Sequence, residues 1–142
     1  YVMERRDFIQ EEIEKIGIFL KRTLSKLMNI KTETSSDDFE SIENEFINNI
    51  DFDLKHFTTL KENEVENYLS SFKFSEESLE KKALIFIELS KSNSLTNSDK
   101  IARLSKAIEI LNYADKLNSS FSIERNQQKN YIFELIQNIE VE

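Results

Sequence analysis

The sequence predicts an all-α protein, and three observations carry that prediction. The 142 residues contain no proline and a single glycine, Gly17. Sheets need turns, and turns draw on Gly and Pro for dihedrals that other residues resist, so a β-sandwich or a doubly wound sheet is close to excluded. Apolar residues recur at steps of three and four along several long segments, which is the period of one helical face. They make up 39% of the chain, enough for the core of one domain.

The elements follow in order. A first helix is expected from about Glu4 to Ile30, with Ile9, Ile13, Ile16, Leu20, Leu24 and Leu27 on one face and Phe8, Phe19 and Met28 widening it. Gly17 inside this stripe costs about 1 kcal/mol against Ala, which suggests close approach by a neighbouring backbone. Thr32 to Ser36 reads as a loop. An acidic first turn, Asp37-Asp38-Phe39-Glu40, opens a second helix with Phe39, Ile42, Phe46, Ile47 and Ile50 as its buried face. Asp51 to Thr58 fits either a helical turn or a packed loop. Thr59-Leu60-Lys61-Glu62 has the form of a capping box, with Thr59 as N-cap, before a third helix holding Val65, Tyr68, Leu69 and Phe72. Ser75 opens a fourth helix with Leu79, Ala83, Leu84, Phe86, Ile87 and Leu89. After a polar loop at Ser92 to Ser98, a fifth helix from Asp99 to about Asn118 carries three of the four alanines, Ala102, Ala107 and Ala114, and is expected to be the most buried element. Ser122 caps a sixth.

The expected architecture is thus about six helices in a helical-hairpin bundle or short α-solenoid, one domain over 1–142. Within it, the N-terminal helix (1–31) stands as semi-independent from a helical-hairpin body (37–142).

The charge is uneven. Net charge is −8, with 19 basic against 27 acidic residues. Phosphate neutralisation supplies most non-specific nucleic-acid affinity, so nucleic acid is not an expected partner. Lys15, Lys21, Arg22, Lys26 and Lys31 occur without an acidic neighbour between residues 15 and 32, whereas 33–66 holds eleven acidic and two basic residues. The basic part of the first helix is expected to lie beside this acidic middle. There is no cysteine, which removes disulfide and thiolate chemistry. No apolar run approaches a membrane span, and no signal-peptide core follows Arg5-Arg6, so a cytoplasmic location is the default expectation. Abundant Ile, Asn, Lys and Phe suggests AT-biased, bacterial coding.

Ala107-Ile108-Glu109-Ile110-Leu111-Asn112-Tyr113-Ala114 resembles the second helix of a tetratricopeptide repeat, and Ile13, Ile16, Gly17 and Leu20 echo the first. The hairpin from Glu76 to Asn118 spans 43 residues against the usual 34, and the terminal proline is missing. The resemblance implies a right-handed helical-hairpin fold and a protein-interaction role. It assigns no functional residue.

Catalytic chemistry has little to draw on. His56 is the only histidine. Asp53-Leu54-Lys55-His56 has the carboxylate-x-x-His spacing of di-iron bundles, but those sites need a second such motif. Ser70-x-x-Lys73 and Ser78-x-x-Lys81 have the Ser/Lys nucleophile spacing at the frequency chance supplies. Glu43, Glu62, Glu64 and Glu66 read as a solvated acidic face. With no phosphate-binding glycine loop available, no enzyme activity, metal or cofactor is expected.

The expected function is a non-enzymatic protein-interaction or structural module whose partner is another protein or a second copy of itself. Lys21, Arg22 and Lys26, on one flank of the first helix, are the expected partner-binding residues. Two alternatives stand beside it. One is a peripheral membrane protein resting on the basic amphipathic segment 16–28. The other is a binder of a small molecule in a Phe-rich apolar groove.

Overall fold

The computed structural model describes residues 2–28, 36–72, 74–91, 95–117 and 122–141. They form seven α-helices and no strand: α1 (Val2–Met28), α2 (Ser36–Ile50), α3 (Leu54–Thr59), α4 (Glu62–Ser70), α5 (Glu76–Leu89), α6 (Asn97–Leu117) and α7 (Ile123–Val141). Of the expected loop at 32–36, residues 32–35 lie outside the described residues and Ser36 already belongs to α2; the expected helix end at Asn118 and the side chains of Phe8, Ile9 and Phe39 also lie outside the described residues.

The count rises from six to seven because Asp51 to Thr58 resolves its ambiguity as a helix. Asp51 takes a left-handed conformation (φ 55°), which Asp tolerates better than most side chains. The Asp51 and Phe52 amides donate back to Ile47 O (3.0 Å) and Phe46 O (3.2 Å), closing α2 and turning the chain so that Phe52 drops into the core. Asp53 then caps α3, its Oδ1 accepting from the His56 amide at 3.0 Å. The next capping box is shifted by two residues from the expected one: Lys61 is the N-cap of α4, and Glu64 Oε1 accepts from its amide at 3.1 Å. Thr59 instead donates its hydroxyl to His56 O as α3 ends. Ser75 and Ser122 cap α5 and α7 as expected, their Oγ atoms accepting from the Ser78 and Arg125 amides.

α5 is the centre of the molecule. α6 packs along it most extensively, α1 lies against it, and α7 packs on α6. The shorter α2, α3 and α4 form a second layer over α1 and α6. Eight of the 14 residues of α5 are buried, against six of 21 in α6, so α5 and not α6 is the most buried element. The reason is position: a helix flanked by two others needs apolar residues around most of its circumference, and Ala83 to Leu89 supplies them.

Two other expectations are corrected. Met28 and Ile47 are exposed (66% and 43%) and not part of the core, while Phe19, Leu20, Leu27, Ile42 and Phe46 are buried. No backbone presses on Gly17 either. A Cβ there would meet Ser78 Oγ at 3.6 Å, an ordinary contact. Gly17→Ala is therefore expected to raise stability by about 0.5–1 kcal/mol through helix propensity alone, read as a higher urea midpoint at unchanged slope.

Ala107 and Ala114 are fully buried. Enlarging such positions in a packed core costs about 1–3 kcal/mol. Ala107→Phe and Ala114→Phe should each lower the melting temperature, whereas Ala102→Phe at a half-buried position should do so less.

Candidate functional site

The basic flank is placed as follows. Lys21, Arg22 and Lys26 are all exposed on α1. Lys26 Nζ reaches Glu45 Oε1 on α2 at 3.0 Å, so at this point the basic helix does lie beside the acidic middle of the chain. Arg22 lines a shallow surface hollow with Phe19, Thr23, Lys26, Glu45 and Asn49. Lys21 faces the other way, and together with Lys81 it helps hold the Glu77 carboxyl of α5 below its ordinary range. The hydrogen bond from Lys81 is the larger cause. The three cations therefore do not converge on one point. The apolar stripe of 16–28 is turned into the protein: Phe19, Leu20 and Leu27 are buried, and only Ile18 and Met28 are largely exposed.

A groove opens between α1, which packs on α5, and α7, which packs on α6, because α1 and α7 do not pack closely on one another. Leu24 of α1, Leu84 of α5 and Tyr131 of α7 give it an apolar floor and wall. Glu77, Glu80, Glu124, Gln127 and Gln128 edge it, with Lys81 as the one cation among its lining residues, and it encloses about 590 Å³. Tyr131 is 47% exposed beside it.

One wall of this groove is held by charge. Arg125 of α7 is buried; its Nε donates to Asp115 on α6 at 2.7 Å, and Nη1 donates to Glu80 on α5 at 3.2 Å. Lys129 pairs with the same Asp115. Burial works to raise the Asp115 carboxyl, but the hydrogen bonds from Lys129 and Arg125 outweigh it and hold it low.

The other sequence candidates find structural roles. The Asp53-x-x-His56 pattern is the α3 cap, with the exposed His56 ring 5.6 Å from Tyr68. Ser78 shares a hydrogen bond with Ser75, Lys81 pairs with Glu77 and Ser70 bonds Asn67 O, while Lys73 lies outside the described residues. No cluster of three metal-ligating side chains occurs among the described residues, and no helix there is long and apolar enough to cross a membrane.

Among the described residues two lysines are buried, and only one finds a hydrogen-bond partner. Lys106 Nζ donates to Leu60 O at 2.5 Å and Glu109 Oε2 at 2.7 Å. Lys82 of α5 is fully buried and its Nζ has no hydrogen-bond partner. The nitrogen stands over the Phe52 ring, 2.7 Å from its centroid, with Phe74 at 4.4 Å, Phe57 at 5.1 Å and Phe72 at 6.0 Å. An ammonium on ring faces gains about 2 kcal/mol when desolvated. Removing it from water without a counter-ion costs several. Desolvation wins, and burial pushes Lys82 well below the usual lysine range. Sequence reasoning named Lys81, in the Ser78-x-x-Lys81 spacing, and passed over Lys82. The signal was available: Leu79, Lys82, Phe86 and Leu89 fall on one helical stripe, at steps of three and four.

Compared with known proteins, the chain matches no family model, no curated protein and no solved structure.

Proposed function

We propose that this chain is a non-enzymatic protein-binding module that receives a basic amphipathic helix of a partner protein in the groove between α1 and α7. The observation that carries the reading is the open seam itself: a channel floored by Leu24 and Leu84 and edged by Glu77, Glu80 and Glu124. An apolar floor of this kind takes the i, i+3, i+4, i+7 anchors of a helix. The carboxylates on its rim, on a chain of net charge −8, favour basic residues beside those anchors and speed their encounter. The buried alanines of the α5–α6 hairpin and its resemblance to a tetratricopeptide repeat support the same role. Lys21, beside Glu77, would then set the groove's edge, while Arg22 and Lys26 lie outside it. The membrane alternative has less to rest on, since Phe19, Leu20 and Leu27 are occupied within the fold.

The test uses two synthetic amphipathic helices with identical Leu anchors, one carrying Lys and Arg on its polar face and the other Glu. Fluorescence anisotropy should show salt-sensitive binding of the basic peptide only. Leu84→Lys should weaken it about tenfold or more, equal to about 1.4 kcal/mol. Equal binding of both peptides, or none of either, overturns the reading. Concentration-dependent dimerisation lost in Leu84→Lys would assign the groove to a second copy, and sedimentation with anionic vesicles would revive the membrane alternative.

A further inference from the structure

The geometry points to Lys82 as a nucleophilic amine that captures an apolar aldehyde or ketone as an imine, behind a door formed by Phe72. This goes beyond protein binding, and it concerns a different groove, which shares no lining residue with the helix-receiving one.

The amine has the environment that activates a lysine. Its Nζ is enclosed by the rings of Phe52, Phe57, Phe72 and Phe74 and bonds to nothing polar. Burial favours its uncharged form, and an uncharged amine keeps the lone pair that attacks a carbonyl carbon. Lys55 and Lys61, by contrast, are exposed and lack such an enclosure. An apolar lining around the nitrogen suits an apolar or aromatic carbonyl compound, since the cage offers a charged ligand no partner.

A way in is present. Phe72 is half-buried and lies just past the end of α4, outside any helix. Its ring is part of the cage. It also lines an open surface groove of about 560 Å³ with Ile16, Ile50 and Ser71. Phe72 thus borders both this groove and the cage; its amide donates to Leu69 O at 3.0 Å in the closing turn of α4, so the door is the turning of one side chain and not a backbone hinge. The chain turn at Asp51, in its left-handed conformation, forms another part of the same groove. The reaction balances without a further reagent. Nζ forms a bond to the carbonyl carbon, two protons pass from nitrogen to the oxygen, the C–O bond breaks, and one water leaves as the C=N bond forms.

The experiment is reductive trapping of the whole chain with benzaldehyde and cyanoborohydride at pH 7, with mass-spectrometric mapping of each lysine. Lys82 should be alkylated at least tenfold faster than Lys55 or Lys61, and Phe72→Ala should speed Lys82 several-fold while leaving those two unchanged. Trapping of Lys82 no faster than the exposed lysines overturns the proposal, in the parent chain and without recourse to any variant. So does a rate that falls in the stabilised Gly17→Ala variant, because the aldehyde would then be reaching Lys82 through global unfolding and not past Phe72.

Discussion

Lys82→Met is expected to raise stability by about 1–3 kcal/mol at neutral pH, the ordinary cost of a buried polar group left without a partner. Methionine keeps the length and apolar stem of the side chain and removes the nitrogen. The larger consequence is in the pH dependence. Burial lowers Lys82 in the fold from its ordinary value of 10.5, and no such burial exists in the unfolded chain. Between the two values the unfolded chain holds a proton that the fold has shed, so stability rises with pH, by up to about 1.4 kcal/mol per unit for one group. Above the unfolded value the rise stops. Below the folded value the penalty is at its fullest, because the native state must either carry the charge inside or open. Among the described residues the groups that face the nitrogen are the phenyl rings of Phe52, Phe57, Phe72 and Phe74, and no charged side chain acts on it. Urea unfolding at a series of pH values from 6 to 10 should therefore show a steeper rise in the parent than in Lys82→Met. Parallel curves would mean that the amine is hydrated in solution.

Phe52→Ala carries the other large effect, a loss of about 3–5 kcal/mol. Phe52 is fully buried and its ring meets those of Phe46, Phe57, Tyr68, Phe72 and Phe74 at centroid separations of 4.9–6.0 Å. These edge-on and tilted pairs add to the area that the ring buries. Phe52 also fixes the join between the two layers, since it enters the core directly after the Asp51 turn. Calorimetry should show a melting temperature lower by ten degrees or more, given a shift of about 2–4 °C per kcal/mol at 150–250 residues and more in shorter chains. The double variant with Lys82→Met should depart from additivity, because the two side chains touch. A cost below about 1 kcal/mol would show that the ring cluster is not what holds α3 and α4 in place.

Local signals were legible wherever one residue does one job. Ser75 and Ser122 announce α5 and α7 because an N-cap hydroxyl needs only the amide three residues on. Ala107 and Ala114 announce a close contact because small residues among large apolar ones have few other uses. The signals failed where the outcome depends on distant parts of the chain. Nothing near Asp51 says that α2 ends there without a glycine; the pull of Phe52 into the aromatic cluster decides it. Met28 and Ile47 fit their stripes by period, yet both lie beyond the covering helices. Arg125 was illegible as a buried node because its partners, Asp115, Glu80 and Glu76, come from two other helices. The groove between α1 and α7 is a property of which helices do not meet, which no single segment encodes.

The Arg125 node implies an order of opening. Among the described side chains of α7 one apolar residue, Ile132, is fully buried, while α5 has many. Leu135, Ile136 and Ile139 pack against the core only partly buried, and the charge lattice of Arg125 and Lys129 with Asp115 and Glu80 fastens the first half of α7. A helix fastened in this way undocks at a smaller free energy than the whole domain needs to unfold, as an early cooperative unit. Its amides should exchange with deuterium sooner than those of α5. The gap should widen in acid: the Asp115 carboxyl is held low in the fold, so its contribution is whole above the ordinary carboxylate range and drains away as pH falls through the folded value. α7 would then swing free while α1, α5 and α6 stay packed, and the groove would lose its Tyr131 wall without the core melting.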